Sequence, residues 1–190
     1  MISKGKNAIV TGASGGMGQL LCKKFAQQGV NLAICSVDEE LLAKQAAELT
    51  QDYKINVVSK RVDATEEREV EEFIAAAAEK LGKIDYLINL AGLSIPNVYN
   101  ETPVDVYDRV MDVNVKGAFL MSKHFAANAA KTALIINIGS KAARVTNANA
   151  PIYCMAKAAV NKLSEGLLLQ YGKMGIRVTT INPSGADTPF

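Results

Sequence analysis

The sequence predicts an α/β protein built on a doubly wound parallel sheet. Two observations carry this. Six short apolar runs alternate with longer stretches of helical periodicity, which is the pattern of repeated strand–helix–strand units. The runs also lack the polar alternation of a sheet with one wet face, so both of their faces are expected to be covered.

The first run is Asn7–Val10. A glycine-rich turn follows, and then a helix from about Gly16 whose apolar stripe is Met17, Leu21 and Phe25, with Leu20 beside them. Gly29 is the expected stop. The second run is Asn31–Ser36, and Asp38 before Glu39 and Glu40 reads as an N-cap with acids in the first turn. The third run is Asn56–Arg61, and Thr65 before Glu66 and Glu67 reads as the next N-cap. Val70, Phe73, Ile74, Ala77 and Leu81 then form an i, i+3, i+4, i+7, i+11 stripe that Gly82 should end. The fourth run is Asp85–Asn89 and the fifth Ala133–Ile138, separated by a long helical region. A last stripe runs from about Ile152 through Ala156, Val160, Leu163 and Leu167 to Tyr171, with Gly172 as the expected stop, before the sixth run Ile176–Ile181. No internal repeat or low-complexity linker interrupts this order.

Composition narrows the function. Of 190 residues, 49% are hydrophobic and 21% charged, which fits a globular domain and not a disordered chain. With 21 Lys and Arg against 19 Asp and Glu, interspersed, no basic patch marks nucleic acid or an anionic membrane as partner. No apolar run is long enough to span a bilayer. The first residues go straight into an apolar strand, so no signal peptide is expected. Cys22, Cys35 and Cys154 are odd in number and far apart, which suits a reducing, cytoplasmic setting better than a disulfide framework. His124 is the single histidine, which excludes a histidine-built zinc site.

Ligands of doubly wound sheets bind beyond the carboxyl ends of the strands, so chemistry is sought there. After the first strand comes Thr11-Gly12-Ala13-Ser14-Gly15-Gly16-Met17-Gly18. Glycines let the backbone approach a pyrophosphate, and the next helix aims free N–H groups and a positive dipole end at it. No Gly-Lys-Ser/Thr follows, so a P-loop is not the reading. Tyr153 and Lys157 stand four apart on one helix face. An ammonium about 4 Å from a phenol contributes about 4 kcal/mol at an effective dielectric of about 20. That would lower the phenol's pKa by up to about three and make it a usable acid or base near neutrality. In isolation such a pair is more often a surface feature of an amphipathic helix. Ser140 follows the fifth strand, where a hydroxyl can donate to a substrate oxygen or simply cap a turn. His124 reads as a surface or satisfied interface residue, Cys154 as small-residue packing, and Lys141 and Arg144 as solvated loop cations.

In chain order, the sequence carries Thr11-Gly-x-x-x-Gly-x-Gly18, Asn89-Leu90-Ala91-Gly92, Asn114 within Met111-Asp-Val-Asn-Val-Lys-Gly117, Ser140, Tyr153-x-x-x-Lys157 and Asn182-Pro183. This ordered set resembles the short-chain dehydrogenase/reductase family over nearly the whole chain. The resemblance implies a three-layer Rossmann-type fold with strand order 3-2-1-4-5-6 and one NAD(P)-binding domain over residues 1–190 that also carries the catalytic residues. It implies hydride transfer between a nicotinamide cofactor and a ketone/secondary alcohol pair. Tyr153 would be the general acid/base. Lys157 would lower its pKa and hold the nicotinamide ribose, Ser140 would orient the substrate oxygen, and Asn114 would anchor a relay water. Cofactor contacts would come from Gly12, Ser14, Gly16, Met17, Gly18, Ser36, Asp63, Asn89, Ala91, Gly92, Tyr153, Lys157, Pro183 and Thr188.

At the end of the second strand stands Ser36, where NAD-preferring members carry an acid for the ribose 2′-hydroxyl. Its absence permits a 2′-phosphate, which inclines the expectation to NADP, with NAD the alternative. Leu90 replaces the family's second Asn and Ser184 its Gly after Pro. The family pattern continues beyond Phe190 into a lid and a seventh strand, without which strand six would be an open edge. The substrate expected is a small carbonyl or alcohol, of 3-oxoacyl thioester or sugar/polyol type, in a pocket walled by residues 93–100 and 141–150. A homodimer or homotetramer is expected by resemblance. A non-catalytic dinucleotide-binding sensor or assembly protein of the same fold is the alternative function.

Overall fold

The computed structural model describes residues 4–184. Its sheet has six parallel strands in the order β3-β2-β1-β4-β5-β6. These are β1 (Asn7–Thr11), β2 (Asn31–Ser36), β3 (Val57–Arg61), β4 (Ile84–Asn89), β5 (Ala129–Ile138) and β6 (Arg177–Ile181). All six runs read from the sequence are strands. The boundaries differ most at β5, which begins four residues earlier, where its pairing with β4 shifts register between Ile84 and Tyr86. Both faces are covered only in the middle of the sheet. Every residue of β1 is buried, whereas the edge strands expose Ser59 and Arg61 of β3 and Arg177, Thr179 and Ile181 of β6.

Helices α1 (Gly16–Gln27) and α2 (Glu39–Tyr53) cover one face. Their core joins Cys22, Phe25, Leu42 and Leu49 to Ala8, Val10, Leu32, Ile34 and Ile88 of the sheet. On the other face lie α3 (Glu67–Leu81), α5 (Gly117–Phe125) and α6 (Pro151–Tyr171). There Val70, Phe73, Ile74, Phe125 and Leu167 pack on Ile9, Ala33, Leu87 and Ile135. A small third cluster of Val110, Ile152 and Ala156, with Ile95 and Tyr153 against it, sits above the carboxyl edge. Helix α4 (Val104–Met111) runs into α5 through a π-helical turn, Asp112–Lys116. No described helix is long and apolar enough to cross a membrane.

Three local expectations are corrected. In α1 the buried residues are Gly18, Cys22, Phe25 and Ala26, and Leu20 is 57% exposed, because the backbone at Gly18 must press against the turn below. Thr65 does not cap α3. Its N–H and hydroxyl both donate to Asp63 Oδ1, so the cap moves one residue on, to Glu66, and the helix begins at Glu67. Helix α6 passes Gly172 in right-handed geometry, winds one further 3₁₀ turn, and stops at Gly175, whose φ of 82° only glycine adopts freely. Lys54, not a glycine, closes α2 with a φ of 55°. Asp38 caps α2 as expected, accepting from the Leu41 N–H at 3.0 Å.

The amino edge is stitched by polar groups. Buried Asp85 accepts from Lys6 Nζ at 2.7 Å and from the Asn7 N–H at 3.0 Å. The Asn7 amide donates to the Leu81 and Lys83 carbonyls, Asn31 donates to Asn7, and the Asn56 N–H donates to Asn31. This chain ties β4, β1, β2 and the start of β3 together at the end opposite the site.

Candidate active site

At the carboxyl edge the structure opens a cavity of about 1090 Å³. Its floor is the turn between β1 and α1. Gly12 holds a φ of +63°, and a Cβ there would lie 2.9 Å from the Ala91 Cα. A Cβ on Gly18 would overlap the Gly12 carbonyl oxygen and come within 2.7 Å of the Ala13 oxygen. The turn therefore folds onto the first turn of α1 with no room for side chains. Helix α1 has no side-chain cap and no acid in its first turn. Its N–H groups and positive dipole end are left for an anion. Gln19 Nε2 fixes the turn by donating to the Ser14 carbonyl at 2.6 Å.

Beside the floor, Ser14 and Ser36 share a hydroxyl hydrogen bond of 2.6 Å, and both line the cavity. Asp63 lines it too, with Oδ1 occupied by Thr65. Thr11 Oγ1 accepts from both the Leu90 and Ala91 N–H groups at 3.0 Å, pinning the strand that ends in the floor to the loop after β4. Gly92 is wedged: a Cβ there would stand 3.0 Å from Asn114 Oδ1 and 3.3 Å from Lys157 Nζ.

Ser140, Tyr153 and Lys157 line one wall. Ser140 is held from behind, its N–H donating to Asn182 Oδ1 at 3.0 Å. Its hydroxyl accepts from the Ala142 N–H at 3.1 Å. Lys157 is only 4% exposed, and its Nζ donates to the Ile138 carbonyl at 2.8 Å. It stands 5.5 Å from the centre of the Tyr153 ring. Burial pushes the Lys157 pKa down to about 8. Burial also raises the Tyr153 phenol above its ordinary value, and the Ser140 hydroxyl opposes that rise. The expected lowering of Tyr153 by Lys157 is thus reversed. The ammonium is drawn to a carbonyl instead of the phenol oxygen, and desolvation decides the direction.

Of the other expected contacts, Gly16, Met17, Ala91 and Pro183 also line the cavity. Asn89 does not. Its side chain is buried and donates to Asn137 Oδ1 at 2.7 Å, to Ser122 Oγ at 3.2 Å and to the Ala118 carbonyl at 3.4 Å. It joins β4 to β5 and α5, and Asn137 continues the chain to Ser164 of α6 at 2.8 Å. Asn114 lies behind the cavity wall at 1% exposure. Its Nδ2 donates to the Leu93 carbonyl at 2.7 Å and to the Val110 carbonyl at 2.8 Å. Thr188 falls outside the described residues.

Sequence reasoning missed Thr11 and Asn182 as holding groups, although both stood inside quoted motifs. It also missed one face of α4 and the π turn, where Asp105, Asp108, Arg109 and Asp112 line the cavity. Their i, i+3, i+4, i+7 spacing shows a shared face, but not what that face looks upon. His124 and Lys123 are absorbed by Glu67, at 3.0 and 2.6 Å. Together they hold its carboxyl below its ordinary value, with Lys123 the larger influence.

A parallel sheet with an acid-free helix N-terminus at its β1 turn, facing a Ser, Tyr and Lys on the wall after β5, defines a dinucleotide-binding oxidoreductase architecture. Residues 6–190 match the family model for short chain dehydrogenase, and the chain belongs to that family. It is 35% identical over 192 residues to an uncharacterised oxidoreductase of Staphylococcus saprophyticus, covering 97% of this chain and 80% of that one. It is also 35% identical over 190 residues to 2-(R)-hydroxypropyl-CoM dehydrogenase of Xanthobacter autotrophicus, covering 96% and 75%. Among solved structures, a dehydrogenase/reductase from Sinorhizobium meliloti superimposes with a TM-score of 0.93 at 32% identity, covering 98% of this chain and 75% of that one. NAD+-bound xylitol dehydrogenase gives 0.90 at 29%, covering 95% and 70%.

Proposed function

We propose that this protein is an NAD(P)-dependent oxidoreductase of a ketone/secondary alcohol pair, with Tyr153 as general acid/base. The observation that carries the reading is the single cavity that joins Ser140, Tyr153 and Lys157 to the β1–α1 turn. The residues fit a dinucleotide. The floor excludes any Cβ at Gly12 and Gly18, which leaves main-chain N–H groups to meet a pyrophosphate.

Gly12, Ser14, Gly16, Met17 and Gly18 would hold the phosphates, Ser36 and Asp63 the adenosine, and Ala91, Gly92, Tyr153, Lys157 and Pro183 the nicotinamide half. When bound, the nicotinamide supplies or takes the hydride. The chain's own part is proton transfer and position. Tyr153 Oη gives its proton to the substrate oxygen in reduction and takes it back in oxidation. Ser140 Oγ donates to the same oxygen and steadies its developing charge. Lys157 keeps a positive charge below pH of about 8. That charge favours the phenolate left when Tyr153 has given up its proton. Asn114 fixes the Leu93 backbone beside this wall. Tyr153→Phe is expected to cut turnover by roughly 10²- to 10⁴-fold while the cofactor dissociation constant stays within about twofold. Undiminished turnover would overturn the assignment.

For the cofactor we propose NADP. At the end of β2 the Ser14–Ser36 hydroxyl pair stands where a carboxylate would repel a 2′-phosphate. Ser36→Asp should weaken NADPH binding by about tenfold or more and spare NADH. Fluorescence titration of both reduced cofactors reads this directly, and equal loss of both would count against it.

A further inference from the structure

The segments after β4 and β5, which border the cavity at Ser94 and Ser140, are joined to each other further along the chain. The Asn97 N–H of the segment after β4 donates to the Asn149 carbonyl of the segment after β5 at 2.8 Å. Each side of this bridge is separately braced. Asn97 Nδ2 donates to Thr102 Oγ1 at 2.5 Å, and that hydroxyl donates to the Val98 carbonyl at 2.6 Å. On the facing loop the Asn149 N–H donates to Asn147 Oδ1 at 3.0 Å, and the Ala150 N–H to the Asn147 carbonyl at 3.1 Å.

Asn147 is in turn tied to α6. Its N–H donates to Cys154 Sγ at 3.2 Å, and the same thiol faces the Asn147 carbonyl at 4.0 Å. A thiol both donates and accepts, so the pairing is reciprocal. Cys154 is 6% exposed and directly follows Tyr153. Below the bridge, Ile95 of the first loop packs with Tyr153 and Ile152. The loop that carries Asn97 is thus seated on the helix turn that carries the phenol.

The geometry points to a latch: Asn147, clasped by Cys154, presents Asn149 to Asn97 and so sets the separation of the two walls above Tyr153. Cys154 and Asn147 are positioning residues. Neither lines the cavity, and they act by holding the mouth through which a substrate meets Tyr153. The role in substrate binding rests on the oxidoreductase reading above, but the latch itself is a property of the backbone.

The test pairs each loss with a rescue. Cys154→Ala and Asn147→Ala each remove a hydrogen bond, while Cys154→Ser and Asn147→Asp keep an acceptor at the same place. Amide hydrogen exchange is measured at Asn97, Asn147 and Asn149, with β4 amides as the control for folding. Both alanine variants should speed exchange at Asn97, across the mouth from the substitution, by roughly fivefold or more, with β4 unchanged. Both conservative variants should return it to within about twofold of the parent. In turnover assays the alanine variants should raise KM for the carbonyl substrate by a similar factor and leave kcat and the NADPH dissociation constant within about twofold. Asn97 exchange that ignores both alanine variants would overturn the latch. A fall in kcat at constant KM would overturn its role at the mouth. A parent protein without turnover on any ketone would sink the oxidoreductase reading, and the exchange measurement would still decide the latch.

Discussion

Lys157→Met gives a stability difference whose dependence on pH can be worked out beforehand. In the folded protein the ammonium is buried and its pKa falls from 10.5 to about 8. Unfolded, it returns to the ordinary value. Between those two pH values the unfolded chain binds more protons than the folded one, so stability rises with pH. Below about 8 the folded protein carries the full cost of a buried charge, about 3 kcal/mol. That cost disappears as pH climbs from about 8 towards 10.5. Methionine never titrates, so it carries no such cost, but it leaves the Ile138 carbonyl without the donor it has at 2.8 Å. The loss amounts to about 1–3 kcal/mol at any pH. The two effects nearly cancel at pH 7, where parent and variant should unfold at nearly the same urea concentration. By pH 10 the parent should be the more stable by about 2 kcal/mol. Urea titrations followed by circular dichroism at pH 7, 8, 9 and 10 measure this, and groups remote from Lys157 drop out of the difference. A difference that stays flat from pH 7 to 10 would refute the buried-charge account.

Two further substitutions probe opposite ends of the sheet. Gly18→Ala puts a methyl group into the Gly12 and Ala13 carbonyls. It should weaken NADPH binding by about 100-fold or more in a fluorescence titration while β-sheet circular dichroism is kept. Asp85→Ala strands the buried Asn7 N–H at the amino edge. It should lower unfolding free energy by about 1–3 kcal/mol in urea, with cofactor affinity unchanged, because the site lies at the other end of the strands.

Much of this architecture is legible because it rests on local chemistry. The six apolar runs are strands because each must lie in a sheet with helices against it, and Asp38 is a cap because its carboxylate has a free N–H three residues on. What escapes reading depends on competition between partners. Thr65 could cap α3, but Asp63 holds its hydroxyl first. Gly172 could end α6, but the left-handed conformation is needed three residues later, at Gly175. Asn89 sits inside a motif that resemblance assigns to the cofactor. Its amide instead finds Asn137, Ser122 and a helix carbonyl, none of them near it in sequence. The π turn has no signature of its own and coincides with Asn114 bonding both Val110 and Leu93. Spacing put Tyr153 and Lys157 on one face, yet the direction of their titration followed from burial and from the Ile138 carbonyl, which no spacing encodes.

The glycine floor has a consequence for how such a protein can be redesigned. Gly12 and Gly18 interlock backbone against backbone, so neither position offers a side chain to vary. Any alanine library there is a library of broken floors. On the proposed reading, freedom to alter cofactor choice lies at the rim, where Ser36, Val37 and Asp63 border the same cavity with exchangeable side chains. On that reading, engineering the two halves would be separable work: the phosphate seat would be inherited whole, and the adenosine seat could be rewritten one residue at a time.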